Sequence, residues 1–210
     1  MKKFLWLIPI LAILSFSSQK SQFKVDEIIA NQAYTSYYCK AIKEPLYVKY
    51  TLYKGGGDCD RSSFRFKNDT KIVTATQKDY AATGYDQGHL ANAEDFAFDC
   101  KLDELTFRFY NCLPQTPNLN RGVWKKWETE IRKESHSDSL VVICGGHFTE
   151  KKTIGNGVWV PTHCWKVVQS ASTLKIKHVL YFENDNDATY QELKISELER
   201  ILGYKIPIKK

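Results

Sequence analysis

Two short polar segments carry the residue types that could do chemistry. In residues 84–92, His89 follows Gly88 in what we predict to be a short polar turn between apolar flanks. In residues 118–124, Asn120 lies where an amphipathic helix is expected to begin. A neutral imidazole accepts a proton near pH 7, and an amide oxygen is a ligand for a hard cation. The two segments therefore supply the groups of metal-assisted hydrolysis.

A predicted helix runs from Asn120 to about Glu134 and positions the second segment. At about 100° per residue its apolar residues form one stripe. The stripe contains Val123, Trp124, Trp127 and Ile131. Asn120 falls inside this stripe and Glu128 lies at its edge, so we expect both side chains to point toward the protein body.

The order and spacing of these residues resemble a known family. The matching residues are Asp86-Gln87-Gly88-His89, then Asn111, Pro114-Gln115, and Asn118-Leu119-Asn120-Arg121-Gly122-x-Trp124-x-x-x-Glu128. They resemble the DNA/RNA non-specific endonucleases, which belong to the His-Me finger (ββα-metal) nucleases. The resemblance covers residues 46–204. Two motifs in the right order are specific, whereas either motif alone is weak.

This resemblance assigns a role to each matching residue. His89 is expected to activate the attacking water, and Asn120 to bind Mg²⁺ directly, with Mn²⁺ as an alternative. Glu128 is expected near the metal, holding its waters, and Asp86 to orient the local backbone. Structural alternatives remain open at this point: a hydrogen-bonded histidine, an asparagine helix cap with Asn118 able to share that task, and a solvated glutamate.

The sequence departs from the family pattern at Gln87, where an arginine is usual. An amide carries no positive charge, so Gln87 predicts weaker stabilisation of a phosphate transition state and a faster Gln87→Arg variant. Arg65 matches a second family arginine upstream and is a candidate for that electrostatic role. A surface arginine is an equally acceptable interpretation of Arg65.

Six cysteines give two competing predictions. In an exported chain an even number of cysteines indicates disulfides, and we expect at least two, with Cys144–Cys164 first. Cys144-x-x-His147 and His163-Cys164 are also zinc-like in type. Adjacent ligands at His163-Cys164 suit a closed tetrahedral site poorly, so disulfides are favoured.

The start of the chain predicts export. Lys2 and Lys3 precede an apolar run that is too short for a comfortable membrane span, and small residues follow it. We therefore expect a signal peptide at residues 1–18 and one domain at residues 19–210, secreted or periplasmic, with no stable membrane insertion after cleavage. Removal of the two lysines lowers the formal charge from +6 to +4, which is compatible with a polyanionic substrate.

The elements around the two segments predict an α+β domain with a mainly antiparallel central sheet, flanking helices and the ββα-metal active-site motif. Strands are expected at residues 46–53, 63–66, 105–110, 140–144, 157–160, 164–168 and 177–182, with a closing helix at 192–202. Residues 21–37 are expected to be irregular or briefly helical. Glycines at 145–146 are expected to end the strand before them.

The sequence thus predicts a Mg²⁺-dependent endonuclease that hydrolyses DNA and RNA with little sequence preference. The alternative is a catalytically impaired nucleic-acid-binding module of the same fold, which Gln87 favours. A third class, a disulfide-stabilised extracellular interaction protein, accounts for the cysteines but leaves both motifs unexplained.

Overall fold

The computed structural model describes residues 22–209, which form a central seven-stranded sheet. Its order is β1-β2-β3-β6-β9-β10-β11, and each neighbouring pair is antiparallel. The strands are β1 (Glu27–Ala30), β2 (Thr35–Cys39), β3 (Glu44–Leu52), β6 (Leu140–His147), β9 (His163–Ser170), β10 (Ile176–Glu183) and β11 (Tyr190–Glu192). This confirms the expected α+β class with a mainly antiparallel sheet.

Two small ribbons and four helices surround this sheet. The ribbons pair β4 (Asp86–His89) with β5 (Cys112–Gln115) and β7 (Thr153–Ile154) with β8 (Val158–Trp159). The helices are α1 (Gln77–Tyr80), α2 (Cys100–Thr106), α3 (Lys125–Glu134) and α4 (Ile195–Leu202). Leu119–Trp124 forms a wider π-helical turn that leads into α3.

The sheet has a core on each face because alternate residues of a strand point to opposite sides. On one face Val142, Val168 and Leu180 pack with Trp124 and Ile131 of the α3 segment. The other face is covered by α4. Its buried side chains are Val141, Ile143, Trp165, Val167, Val179, Leu198, Leu202 and Ile206. Strand β6, buried on both faces, accordingly has a continuous apolar sequence from Leu140 to Cys144.

Helix α4 ends where the sequence predicts. Leu198 and Leu202, one helical turn apart, are buried against the sheet. Gly203 follows with a φ of 73°, a left-handed conformation that an L-residue adopts at an energetic cost. The glycine therefore stops the helix and turns the chain back across the second core.

Three local predictions were wrong. Residues 21–37 contain strands β1 and β2, joined where Asn31 Oδ1 accepts hydrogen bonds from the backbone of Ala33 and Tyr34. Residues 105–110 hold the end of α2 and a short 3₁₀ turn. The polar segment ending at His89 is not a turn but strand β4.

Two predicted boundaries also differ. Strand β6 continues through Gly145 and Gly146. A Cβ on Gly145 would lie 2.0 Å from the Leu46 carbonyl oxygen of β3, so this glycine permits close contact between the two strands. Residues 63–66 hold no strand; an isolated bridge joins Lys67 to Arg108.

The predicted signal peptide at residues 1–18 lies outside the described residues. Among residues 22–209, no helix has the length and apolar character needed to cross a membrane.

Candidate active site

The ribbon of β4 and β5 places His89 opposite Cys112. Gly88, immediately before the histidine, lies under the side chain of Gln115. A Cβ on Gly88 would be 2.0 Å from Gln115 Oε1, so any larger residue would displace that side chain. The glycine is required for this close approach, and the backbone that carries His89 is thereby fixed.

The ring of His89 is half-buried between two phenylalanines. Its centroid lies 4.7 Å from the Phe66 ring and 4.7 Å from the Phe107 ring. Its buried Nε2 has no hydrogen-bond partner within residues 22–209. Burial, reinforced by the nearby Arg61 charge, lowers the pKa of His89 to about 3. The imidazole is therefore neutral at pH 7, as a general base must be, but so low a pKa makes it a weak proton acceptor in the empty cleft.

Asp86 orients the amide of Asn120. Asn120 Nδ2 donates to Asp86 Oδ2 at 2.9 Å, and Arg121 donates to both oxygens of Asp86 at 2.7 and 2.6 Å. Burial raises the pKa of Asp86, but the hydrogen bonds from Arg121 and Asn120 bring it below its ordinary value. With its nitrogen held by a carboxylate, Asn120 has Oδ1 available as a ligand.

Helix capping does not account for either asparagine. Asn118 precedes the π-helical turn, but its side chain makes no capping bond and donates to the Asn186 carbonyl at 2.6 Å. Asn120 lies inside the turn, and its side-chain amide donates a hydrogen bond to Asp86. The Asn120 amide is thus positioned by a side-chain contact with Asp86 on strand β4.

Glu128 is a buried carboxylate on the first turn of α3. Its Oε1 has no hydrogen bond within the described residues, and the nearest cation is Lys166 Nζ at 3.8 Å. Lys166 is 1% exposed, and its ammonium lies 4.1 Å from the centroid of the Trp124 ring. Burial raises the pKa of Glu128, and the Lys166 charge opposes that rise.

A second buried ion pair supports the same helix. Arg132 Nε donates to Asp95 Oδ1 at 2.8 Å, and Arg132 Nη2 donates to Asn92 Oδ1 at 2.9 Å. Tyr50 donates to the other Asp95 oxygen at 2.8 Å. These bonds tie α3 to the turn after β4 and to strand β3, so the elements that carry His89 and Glu128 are held together.

His89, Asn120 and Glu128 open into one cleft with a volume of about 790 Å³. Its wall also contains Arg61, Asn92, Ala93, Glu94, Phe107, Arg121, Lys125, Thr129 and Arg132. The fold therefore places in one cavity three of the residues that the sequence singles out, His89, Asn120 and Glu128. Asp86 contacts that cavity through Asn120 and Arg121.

Arg65 is not among the residues that line this cleft. Its guanidinium donates to the carbonyl oxygens of Ser62 and Phe64, at 2.8 and 2.7 Å. Arg61, four residues earlier, does line the cleft, and its side chain is 35% exposed. The sequence analysis missed Arg61 because spacing alone does not distinguish the two arginines. The one sequence feature that marks Arg61 is Cys59, two residues upstream, whose disulfide with Cys100 fixes this segment beside α2.

Gln87 contacts a residue outside the cleft lining. Its Nε2 donates to Gln77 Oε1 at 2.9 Å, which joins β4 to helix α1. The position at which the chain departs from the family pattern thus has a local partner in this fold.

The prediction of a disulfide is confirmed, but its predicted pairing and the predicted number of at least two were wrong. Cys59 and Cys100 form a disulfide, and it is the one such bond within residues 22–209. Cys144 and Cys164 lie on neighbouring strands but diagonally, because Cys144 is opposite Lys166 and Cys164 is opposite Gly146. Diagonal Cα atoms lie about 7–8 Å apart, too far for a disulfide. Instead the Cys144 thiol donates to the Leu90 carbonyl at 3.1 Å.

The zinc alternative fails for a related reason. His147 and His163 are cross-strand partners on one face of the sheet. Cys144 and Cys164 project from the other face, because each is an odd number of positions from its neighbouring histidine. No cluster of three or more histidine, cysteine or acidic side chains suited to a metal occurs within the described part of the chain.

The cleft fits a hard cation with few protein ligands. Asn120 offers an amide oxygen, and Glu128 offers a buried carboxylate oxygen that has no hydrogen bond within residues 22–209. Mg²⁺ prefers such oxygen donors and retains several of its waters. One direct ligand with an acidic neighbour therefore satisfies its coordination chemistry.

Comparison with known proteins agrees with this fold. The sequence profile of the DNA/RNA non-specific endonucleases matches residues 15–207, and the chain belongs to that family. It is 34% identical to mitochondrial Endonuclease G of Homo sapiens over 128 residues, and this aligned region covers 53% of this chain and 43% of that relative. A nuclease of Nostoc sp. is 30% identical over 149 residues, covering 63% of this chain and 54% of the relative.

A solved structure shares the architecture. A chain in the crystal structure of the EndoG/EndoGI complex superposes with a TM-score of 0.70 at 26% identity, covering 84% of this chain and 83% of that one. The chain spans about half the length of the curated relatives it matches.

Proposed function

We propose that this protein is a metal-dependent endonuclease that hydrolyses phosphodiester bonds in DNA and RNA. One observation carries the proposal: a neutral histidine, an oriented amide oxygen and a buried carboxylate open into a single cleft. The cleft also contains Arg61, Arg121, Lys125 and Arg132 against two acids, Glu94 and Glu128. That excess of positive charge suits a phosphate chain.

The residues of the cleft divide the chemical work. His89 takes a proton from the attacking water. Asn120 would hold Mg²⁺ through Oδ1, and Glu128 would orient its waters. When bound, Mg²⁺ supplies positive charge that stabilises the negative charge developing on the phosphoryl oxygens and on the leaving 3′ oxygen. Arg61 donates hydrogen bonds to the phosphate oxygens. Arrival of a phosphate also offsets the Arg61 charge that lowers the pKa of His89.

The proposed substrates follow from the nucleophile. Because water attacks phosphorus, the reaction does not use the ribose 2′-hydroxyl, and both DNA and RNA are substrates. The contacts available in the cleft are cationic groups suited to phosphates, so we expect internal cleavage with little base preference. Because the 3′ oxygen is the leaving group, the products carry 5′-phosphate ends.

Export completes the proposal. A signal peptide at residues 1–18 is cleaved from a single domain at 19–210, and the mature protein acts in the periplasm or outside the cell. The half-exposed Cys59–Cys100 disulfide supports an oxidising compartment. N-terminal sequencing of the protein recovered from an exporting host tests this: a chain that retains residues 1–18 contradicts the proposed processing.

The decisive experiment is an incubation of the purified protein with plasmid and with RNA, in Mg²⁺, in Mn²⁺ or in EDTA. We expect both substrates to be cut in either cation and neither in EDTA. Mass spectrometry of the RNA products should show 5′-phosphates, and 2′,3′-cyclic phosphates would contradict attack by water. Salt-sensitive binding without cleavage would instead establish the impaired binding module.

A further inference from the structure

Arg61 lies on a segment that regular secondary structure does not hold in place. Between the end of β3 at Leu52 and the start of α1 at Gln77 there is no helix or strand; an isolated bridge at Lys67 is the exception. Backbone in such segments is held by few ladder hydrogen bonds and is prone to local opening. An arginine that must meet a phosphate inside a cleft therefore needs other attachments.

One attachment is covalent. The Cys59–Cys100 disulfide joins the chain two residues before Arg61 to the first residue of α2. The backbone approaches the same region at Gly57, where a Cβ would lie 2.2 Å from the Ala97 carbonyl oxygen. The segment is thus fastened to the turn and helix that follow strand β4.

The second attachment is electrostatic and comes from the same helix and from the short 3₁₀ turn at Ala93–Phe96 before it. Arg61 Nε lies 3.7 Å from Asp103 Oδ2, and Arg61 Nη2 is hydrogen-bonded to Glu94. Cys100 and Asp103 are three residues apart in α2, so they share one helical face. A single helix face therefore presents both the sulfur that holds the segment and the carboxylate that holds the guanidinium.

Asp103 has few other partners. It is fully buried, and neither of its side-chain oxygens accepts a hydrogen bond within residues 22–209. Burial raises the pKa of Asp103 to about 6, and the charge of Arg61 opposes the rise. The carboxylate is therefore stabilised chiefly by Arg61, and the two charges depend on remaining close.

We propose that the Cys59–Cys100 disulfide and Asp103 are positioning groups for Arg61, so that full nuclease activity requires the oxidised protein. This inference rests on the proposed function of the cleft. Without the disulfide, the segment around Arg61 opens more often from α2, and the guanidinium spends less time beside His89. A small displacement of a catalytic contact costs up to about 100-fold in rate.

The disulfide is suited to a selective test. Cys59 is half-buried and Cys100 is exposed, whereas the four cysteines left as thiols, Cys39, Cys112, Cys144 and Cys164, are all buried. Dithiothreitol reduces the disulfide with two electrons and two protons, giving two thiols and the cyclic disulfide of the reagent. Its effect should therefore vanish in a Cys59→Ser/Cys100→Ser variant.

The experiment compares kcat and KM on a short DNA duplex in Mg²⁺ for the oxidised protein, the reduced protein, the double serine variant and Asp103→Asn. We expect each change to lower kcat/KM about 10-fold or more, mostly through kcat. Glu104→Gln, an exposed neighbour on α2 that pairs with Lys67, is the matched control and should leave kcat/KM unchanged.

The same changes are then made in an Arg61→Ala background. If the disulfide and Asp103 act through Arg61, removing them there causes no further loss. An equal additional loss would mean a general structural role, and unchanged activity in the double serine variant would also overturn the proposal. Thermal melting confirms that each variant is folded at the assay temperature.

A readout independent of turnover separates this inference from the proposed function. The Nη2–H resonance of Arg61, which donates to Glu94 and is assigned with Arg61→Lys, should be protected in the oxidised protein and should exchange faster with water after reduction. An unchanged resonance contradicts the positioning role, whether or not the protein cleaves DNA. An oxidised protein that shows the protection but cleaves neither DNA nor RNA contradicts the proposed function alone.

Discussion

The chemistry of the cleft is decided by what each functional atom contacts. His89 is kept neutral by two phenylalanine rings and a neighbouring guanidinium, with its pKa lowered to about 3. Asn120 presents an oxygen because Asp86 takes its N–H. The neighbours of these two side chains thus keep the imidazole neutral and fix which end of the amide faces the cleft.

His89→Ala is expected to lose activity while the protein still folds and binds DNA. Loss of a general base costs roughly 10²–10⁴-fold in rate. Single-turnover cleavage and DNA binding by the same variant provide the measurement. Near-normal cleavage would remove His89 from the mechanism.

Asn120→Ala is expected to raise the Mg²⁺ concentration needed for half-maximal activity as well as to slow the reaction, because the direct protein ligand is lost. Asp86→Ala should change the Mg²⁺ requirement in the same direction but less, since it frees the amide to rotate. Asn118→Ala, on an exposed neighbour, is the control. Recovery of full activity on cooling would assign Asn120 a purely structural role.

The sequence could predict His89, Asn120 and Glu128 because their order and spacing are local features of the chain. It could not predict Arg61, because an irregular segment has no periodicity that tells which side chain points inward. Nor could it reject Cys144–Cys164, since that required knowing which residues are opposite one another on two strands.

At the scale of elements, the site depends on contacts between the sheet and α3. The hydrophobic run of β6 was predictable because this strand is buried on both faces. Strands β1 and β2 were missed because their burial is partial and their turn is fixed by Asn31, a side-chain contact with no periodic signal. The strand predicted at residues 105–110 is absent because the alternating apolar residues there belong to the end of α2 and to the 3₁₀ turn that follows it.

Lys166→Met is expected to destabilise the protein, because it removes the cation nearest to the buried Glu128. Breaking a buried ion pair on one side typically costs about 3–5 kcal/mol. Urea unfolding at pH 7 measures the change. Adding Glu128→Gln should restore part of the lost stability, and equal stability of the two variants would show that the pair is not coupled.

The opposite face of the sheet contains a pH-dependent contribution. His147 Nδ1 contacts the Tyr181 hydroxyl at 2.7 Å, and burial, with His163 nearby, lowers the pKa of His147 to about 4. The unfolded chain, with an ordinary pKa near 6.5, therefore binds more protons between pH 6.5 and pH 4. Stability from this group is complete above about pH 6.5 and is lost as the pH falls toward 4.

His147→Gln should accordingly reduce the loss of stability between pH 7 and pH 4.5. Urea unfolding of both proteins at the two pH values tests this. An identical difference between the two pH values in wild type and variant would mean that His147 titrates alike in the folded and unfolded chains.

The molecule as a whole carries a formal charge of +6, or +4 after the predicted cleavage. Its affinity for DNA should fall as salt rises, because cations in the cleft displace counterions from the phosphates. Lys125→Ala should reduce the slope of log affinity against log salt by about one. Lys205→Ala, on the far side of the sheet beside α4, should leave the slope unchanged, and equal effects of both would place binding outside the cleft.

The buried ammonium of Lys166 also has a consequence for folding. If β9 paired with its neighbours one residue out of register, Lys166 would exchange faces with Trp165 or Val167 and enter the mainly apolar core beneath α4. There it would meet neither Glu128 nor the Trp124 ring. An unpaired buried charge is among the most costly groups in a protein interior. The same lysine that balances the active-site carboxylate therefore penalises a misaligned sheet.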